Sequence, residues 1–137
     1  MKFVKMHGLG NDFVFLEDKN GADKDFSGLA RKMCAHCVSQ NSAALQWAGR
    51  IRHLADVRMR IINADGSEAE MCGNGIRFFA KYVYDHGIIQ KKEFAVETLA
   101  GIMKPKVTIG EDGKVSLVTI NMGKPFTDRG QIPMEGP

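Results

Sequence analysis

The chain has little of what several protein classes require. It contains three cysteines, Cys34, Cys37 and Cys72, a small and odd number that argues against a secreted disulfide scaffold. No apolar run approaches the length needed to span a membrane. The opening residues, Met1-Lys2-Phe3-Val4-Lys5-Met6-His7, alternate as a strand does and lack the apolar centre of a signal peptide. Net charge is only +3, with basic residues scattered apart from Arg50-Ile51-Arg52 and Lys91-Lys92. A nucleic-acid surface needs a basic stripe interleaved with aromatics, and none is present. Internal repeats and low-complexity tracts are missing too. These features predict a cytoplasmic chain with no nucleic-acid and no membrane partner. A length of 137 residues suits one domain with a real core.

Hydrophobic periodicity lays out the elements. Lys2–Met6 reads as a strand, His7–Asp12 as a Gly-rich loop and Phe13–Leu16 as a second strand. Asn20-Gly21 marks a turn. A helix is predicted from Phe26 to about Cys37, capped by Asp25 or Ser27, with Leu29, Met33 and Cys37 on one face. Asp56–Asn63 alternates as a strand. Ile76 to His86 carries Ile76, Phe79, Ala80, Val83 and Tyr84 at helical spacing, broadened by Phe78 and Tyr82. Asn74 is the candidate cap and Gly87 the residue just past the end. A helix this apolar must be enclosed by the rest of the fold. Glu93–Thr98, Gly101–Ile109 and Val115–Met122 follow as a β meander, punctuated by Ala100-Gly101 and Gly110-Glu111-Asp112-Gly113. Strands on both sides of one buried helix predict an α+β unit over 1–122. The tail 123–137 holds three of the four prolines and reads as a Pro/Gly-rich linker.

The chemistry concentrates at Cys72. It sits in Met71-Cys72-Gly73-Asn74-Gly75, between the strand ending near Asn63 and the apolar helix. Free N–H groups and the macrodipole at a helix start favour an anion, and so favour a thiolate. The same amides can hold a substrate carboxylate. Other motifs weigh less. Cys34-Ala35-His36-Cys37 has the C-x-x-C spacing of a redox pair or half a zinc site, but no second pair exists. Gly8-Leu9-Gly10 lacks the rest of a dinucleotide fingerprint. No metal and no cofactor are expected.

Two long segments carry a resemblance. Met1-Lys2-Phe3 with Lys5-Met6-His7-Gly8-Leu9-Gly10-Asn11-Asp12-Phe13, and the run from Arg58 through Asn63-Ala64-Asp65-Gly66-Ser67-Glu68-Ala69-Glu70-Met71-Cys72-Gly73-Asn74-Gly75 to Arg77, resemble the diaminopimelate epimerase family. Glu97-Thr98-Leu99-Ala100-Gly101 also fits. The resemblance covers roughly 1–35 and 56–137, about the first half of a family member. It implies a lobe in which a curved mixed β-sheet wraps a central helix. It implies cofactor-independent interconversion of LL- and meso-2,6-diaminopimelate, a step toward lysine and peptidoglycan, by an enzyme that is usually a homodimer. By the same resemblance Cys72 is one of two catalytic thiols acting on opposite faces of the substrate. Gly73 and Asn74 are backbone donors to its α-carboxylate, and Asn11 and Asn63 are polar contacts. The second cysteine belongs to the family's other lobe, toward which 123–137 would lead.

The residue chemistry is compatible. An amino-acid α-proton is weakly acidic, so the carbanion needs donors around its carboxylate, and a tuned cysteine can serve as base. Alternatives are a non-catalytic isolated lobe, or another isomerase of the same fold, proline-racemase-like or phenazine-isomerase-like. A cysteine hydrolase ranks lower, because no histidine is placed by sequence to serve Cys72.

The segment from Cys37 to Ala55 departs from the family pattern. Where the family carries a Phe-Gly-Ile-Gly-Ala-Asp-Gly-like loop, this chain has Val38-Ser39-Gln40-Asn41-Ser42-Ala43-Ala44-Leu45-Gln46-Trp47-Ala48-Gly49-Arg50. Similarity resumes in register at Asp56, the pattern of a local reading-frame change, so no substrate contact is assigned to Gln40 or Gln46. Replacing residues 37–55 with a family-like loop in the same register should raise the melting temperature. An unchanged or lower value means the segment is an adapted part of the fold.

Overall fold

The fold is that of a computed structural model describing residues 3–8, 10–18, 25–35, 42–48, 55–125 and 127, with backbone alone at 18, 35 and 42–48. The elements run β1 (Phe3–Gly8), β2 (Asn11–Asp18), α1 (Phe26–Ala35), β3 (Ser42–Ala48), β4 (Val57–Ile62), β5 (Glu68–Ala69), α2 (Gly73–Asp85), β6 (Val96–Thr98), β7 (Gly101–Met103), β8 (Lys106–Ile109) and β9 (Val115–Thr119). A mixed sheet has the order β1-β2-β3-β4-β6-β7, with β5 paired to β4 off that path. β8 and β9 form a separate antiparallel pair.

The central helix is α2. Ile76, Phe79, Ala80 and Val83 are wholly buried, because their spacing lines one face. Tyr82 completes the buried set, its ring stacked on Phe15. Strands β2 and β4 of the large sheet and both strands of the small pair pack on this helix. Each fully buried aliphatic or phenyl side chain contributes about 1.5–3 kcal/mol, so enclosing α2 is the main source of stability. This is the α+β lobe with a mixed sheet around a central apolar helix that the sequence predicts.

The end of α2 matches its sequence signal. Gly87 has φ +69°, its N–H donates to Tyr84 O, and that of Ile88 donates to Val83 O. Two such bonds closing on a left-handed glycine make a Schellman stop.

Several boundaries differ from the predicted ones. The loop expected over His7–Asp12 is mostly strand: β1 runs to Gly8, and β2 starts at Asn11, with which Gly8 pairs. Gly10, at φ +78°, supplies the left-handed turn residue that lets the hairpin close so tightly. In α1 the periodicity holds but its phase moves by one residue. Phe26, Ala30 and Cys34 are the buried face, while Leu29 and Met33 are half-buried. Cys37 and the Asn20-Gly21 turn lie outside the described residues. Asp25 rather than Ser27 caps α1, its Oδ1 accepting the Gly28 N–H at 2.7 Å. Gly101–Ile109 breaks into β7 and β8 at Lys104 and Pro105, since proline has no N–H for a ladder. The departing segment contains β3, parallel to β2 and antiparallel to β4. Of the predicted linker, residues 126 and 128–137 lie outside the described residues.

One ionic clamp fixes α2 to the small pair. Asp85 Oδ1 accepts the Val115 N–H at 2.8 Å and Oδ2 pairs with Lys81 Nζ at 2.8 Å. Lys81 also donates to Val115 O at 2.7 Å. Burial alone would raise the Asp85 pKa, but the Lys81 ammonium and the Val115 N–H outweigh it and hold the carboxyl below the usual aspartate range. A carboxylate depressed in the folded state adds stability above its unfolded pKa, and that stability is lost as pH falls through the folded value. Asp85→Asn should therefore destabilise by about 1–2 kcal/mol at pH 7. Chemical denaturation should show the gap to wild type closing below about pH 4. A gap independent of pH contradicts the charge assignment.

Candidate active site

The path from β4 into α2 builds the site. Ile61 and Ile62 pair with Ala69 and Glu68, so the chain turns over residues 63–67 and comes back along β4. The Asn63 N–H donates to Ser67 O at 2.8 Å, and the Gly66 N–H, at φ +86°, donates to Asn63 O at 2.9 Å. Asp65 Oδ1 accepts the Ser67 hydroxyl at 2.6 Å and its N–H at 2.8 Å. These bonds from Ser67 hold the Asp65 carboxyl below its ordinary value. From α1, Ser27 Oγ donates to Gly66 O at 2.7 Å and Arg31 to Asp65 O at 3.0 Å. The turn is thus anchored on a second element.

A guanidinium–carboxylate fork locks the return strand. Arg60 Nε and Nη2 each donate to Glu68 at 2.8 Å, the two-bond geometry that gives such pairs their directionality. The bond to Arg60 lowers the Glu68 pKa, and the bond to Glu68 raises that of Arg60. Phe26 lies under the same guanidinium at 5.8 Å. Sequence reading did not single out this pair. Its signal was opposite charges facing each other across a turn.

Cys72 is the N-cap of α2, in an extended conformation. Its Sγ accepts the Gly75 N–H at 3.3 Å, and its carbonyl accepts that of Ile76 at 2.9 Å. The cap is therefore Cys72 and not Asn74, which lies inside the first turn. The reason is that a thiol can fill the role of a serine hydroxyl at this position. Helix geometry leaves the N–H groups of Gly73 and Asn74 without intrahelical partners, and α2 has no acidic residue in its first turn to offset them. The half-buried Cys72 and these two amides stand together at the helix start. A β-carbon at Gly75 would lie 3.2 Å from Cys72 Cβ and 3.5 Å from Sγ, so glycine is what lets Cys72 pack this closely on the first turn.

The other predicted residues lie at the ends of strands. Asn11 is half-buried at the start of β2. Its end of the hairpin is held to α2: a β-carbon at Gly8 would lie 2.7 Å from Phe78 Cζ, and Phe78 packs on Phe13 with centroids 5.2 Å apart. Asn63 is half-buried just past β4, and its Nδ2 donates to Ser67 Oγ at 3.0 Å. It is a turn residue here. Neither asparagine bonds to Cys72 among the described residues. No group of His, Cys, Asp and Glu side chains suited to a metal ion occurs among them. Nor is any helix there long and apolar enough to cross a membrane.

Known proteins share this architecture. The chain aligns with the Bacillus anthracis phenazine biosynthesis protein of the PhzF family over 82% of its length and 36% of that protein, at TM-score 0.61 and 19% identity. A methylitaconate-delta-isomerase aligns over 82% of this chain and 61% of its own, at TM-score 0.58 and 17% identity. At these identities the likeness defines the fold, an α+β lobe of the PhzF kind. Sequence narrows it further. The diaminopimelate epimerase of Caldanaerobacter subterraneus subsp. tengcongensis is 48% identical over 135 residues, 98% of this chain and 48% of that enzyme. That of Moorella thermoacetica is 49% identical over 137 residues, 99% of this chain and 48% of its own. A family profile for diaminopimelate epimerase matches residues 3–127, and the chain belongs to that family of isomerases. It spans about half the length of the curated relatives it matches.

Gly75→Ala tests the geometry of the cap. The new methyl forces Cys72 aside by a few tenths of an ångström and lengthens the Sγ bond to the helix. Iodoacetamide labelling of Cys72 at neutral pH should slow, while helix propensity, which favours alanine by about 1 kcal/mol, keeps the fold stable. Unchanged labelling in a folded variant would show that Sγ does not depend on this bond.

Proposed function

We propose that this chain forms one lobe of a diaminopimelate epimerase, with Cys72 as one of the two thiols that exchange the substrate α-proton. The observation that carries this is the position of Cys72 Sγ at the start of α2, bonded to the Gly75 N–H at 3.3 Å beside the unpartnered amides of Gly73 and Asn74. The Gly73 and Asn74 N–H groups take the α-carboxylate, and Asn11 and Asn63 add polar contacts. Charge that develops on the carbanion spreads into the carboxylate, where fixed N–H dipoles stabilise it without reorganising. The Cys72 sulfur sits at the same helix start, so base and oxyanion donors share one electrostatic source. No metal or cofactor takes part in the proposed reaction, which belongs to lysine biosynthesis in the cytoplasm.

Inversion needs an acid and a base on opposite faces of the α-carbon. One thiol can exchange a proton on one face only. The second thiol comes from a second lobe, joined through 123–137 in a chain of the family's full length. That lobe also closes the site against water, which strengthens every contact to the carbanion. A homodimer is the expected assembly.

The 137 residues alone should not convert LL- to meso-diaminopimelate at a useful rate. Activity should appear when a second lobe with its own cysteine is supplied, in the same chain or in trans, and should vanish in Cys72→Ala. α-Deuterium incorporation from heavy water, followed alongside, reports proton exchange separately from inversion. Robust turnover by the isolated chain, or by the completed Cys72→Ala protein, would overturn this account.

A further inference from the structure

Arg77 does two things at the start of α2. Its Nε donates to Gly73 O at 3.1 Å, and its Nη2 donates to Asn74 Oδ1. The guanidinium therefore grips both residues one turn back from its own position. A cation this close to a helix N-terminus is on the wrong side of the macrodipole, and no acidic side chain in that turn neutralises it. Its placement opposes helix stability and favours an anion at the helix start.

Gly73 O and the Asn74 N–H belong to one peptide plane and point opposite ways. A donor on that oxygen fixes the plane, and so fixes the direction of the Asn74 N–H. A charged donor also polarises the amide, making its N–H a stronger hydrogen-bond donor. The second bond draws the Asn74 side chain back along the helix surface, away from the helix start. We propose that Arg77 is a positioning residue that aims and strengthens the Asn74 amide for a substrate carboxylate. This role rests on the reading of Cys72 and the α2 amides as the substrate site. Arg77 acts through Gly73 and Asn74 and touches no reacting atom.

Alkylation of Cys72 by two reagents tests it in the chain as it is. The thiolate sulfur displaces iodide from either reagent, a C–S bond forming as the C–I bond breaks. Iodoacetate carries a carboxylate next to the reacting carbon, and iodoacetamide does not. The ratio of their rates at Cys72, read by mass spectrometry and divided by the same ratio for the chain unfolded in urea, cancels differences in thiol exposure. Wild type should give a value above one. Arg77→Met should lower it about three- to tenfold, the effect of one charge-assisted hydrogen bond, with the melting transition retained because Arg77 is exposed. Arg77→Lys should fall most of the way too, since an ammonium cannot reproduce the fork. An undiminished ratio in Arg77→Met overturns the role of Arg77 and leaves the carboxylate site standing. An undiminished ratio in Arg77→Lys alone shows a charge effect and overturns the positioning role. A wild-type value of one or less overturns the carboxylate site and this role with it.

Discussion

The enclosure of α2 is the constraint on which the other features depend. A helix carrying Ile76, Phe79, Ala80 and Val83 with no exposure cannot exist in water on its own, because helical stability comes mainly from packing an apolar face. Strands must cover it from more than one side, and they come from both sheets. Once α2 is buried in this way, its two ends are where backbone groups must meet partners outside the helix ladder. Unsatisfied N–H groups at its start need an acceptor, and Cys72 Sγ provides one of them.

The same burial explains how the start of α2 is held still. A thiol at the end of a frayed helix would have no fixed relation to the amides beside it. Here the Schellman stop at Gly87 and the Asp85–Lys81–Val115 clamp secure the far end. The Arg60–Glu68 fork, with Ser27 and Arg31 from α1, secures the approach to Cys72. Stability and site geometry are therefore produced by the same contacts.

Much of the fold could be read from local patterns. The 3.6-residue spacing in α2, its glycine stop and the alternation in β4 are all local, and each appears where periodicity puts it. What escaped was set by distant partners. The phase of α1 moved by one residue because Phe26 and Ala30 form the buried cluster with Ile62, and Leu29 packs only at its margin. The β1–β2 turn tightened because the ladder continues as far as a single left-handed glycine permits. The order of strands, with β6 laid parallel to β4, has no local signal at all.

The site divides along the same line. Sequence by itself determined that a lone cysteine in a Gly-Asn-Gly context precedes an apolar helix, and so which thiol and which amides stand together. These are neighbours in the chain, and helix geometry alone relates them. That Cys72 and not Asn74 is the cap is likewise a local matter, a bond between residues three apart, whereas tertiary structure decided what supports it. It also decided that Arg60 meets Glu68, that α1 supports the turn at Gly66, and that Phe78 holds the Asn11 hairpin against α2. Such contacts join residues far apart in the chain or across a turn. Their energies depend on distances that only the packed core fixes, so a pattern along the chain can suggest a pair such as Arg60 and Glu68 but cannot select it.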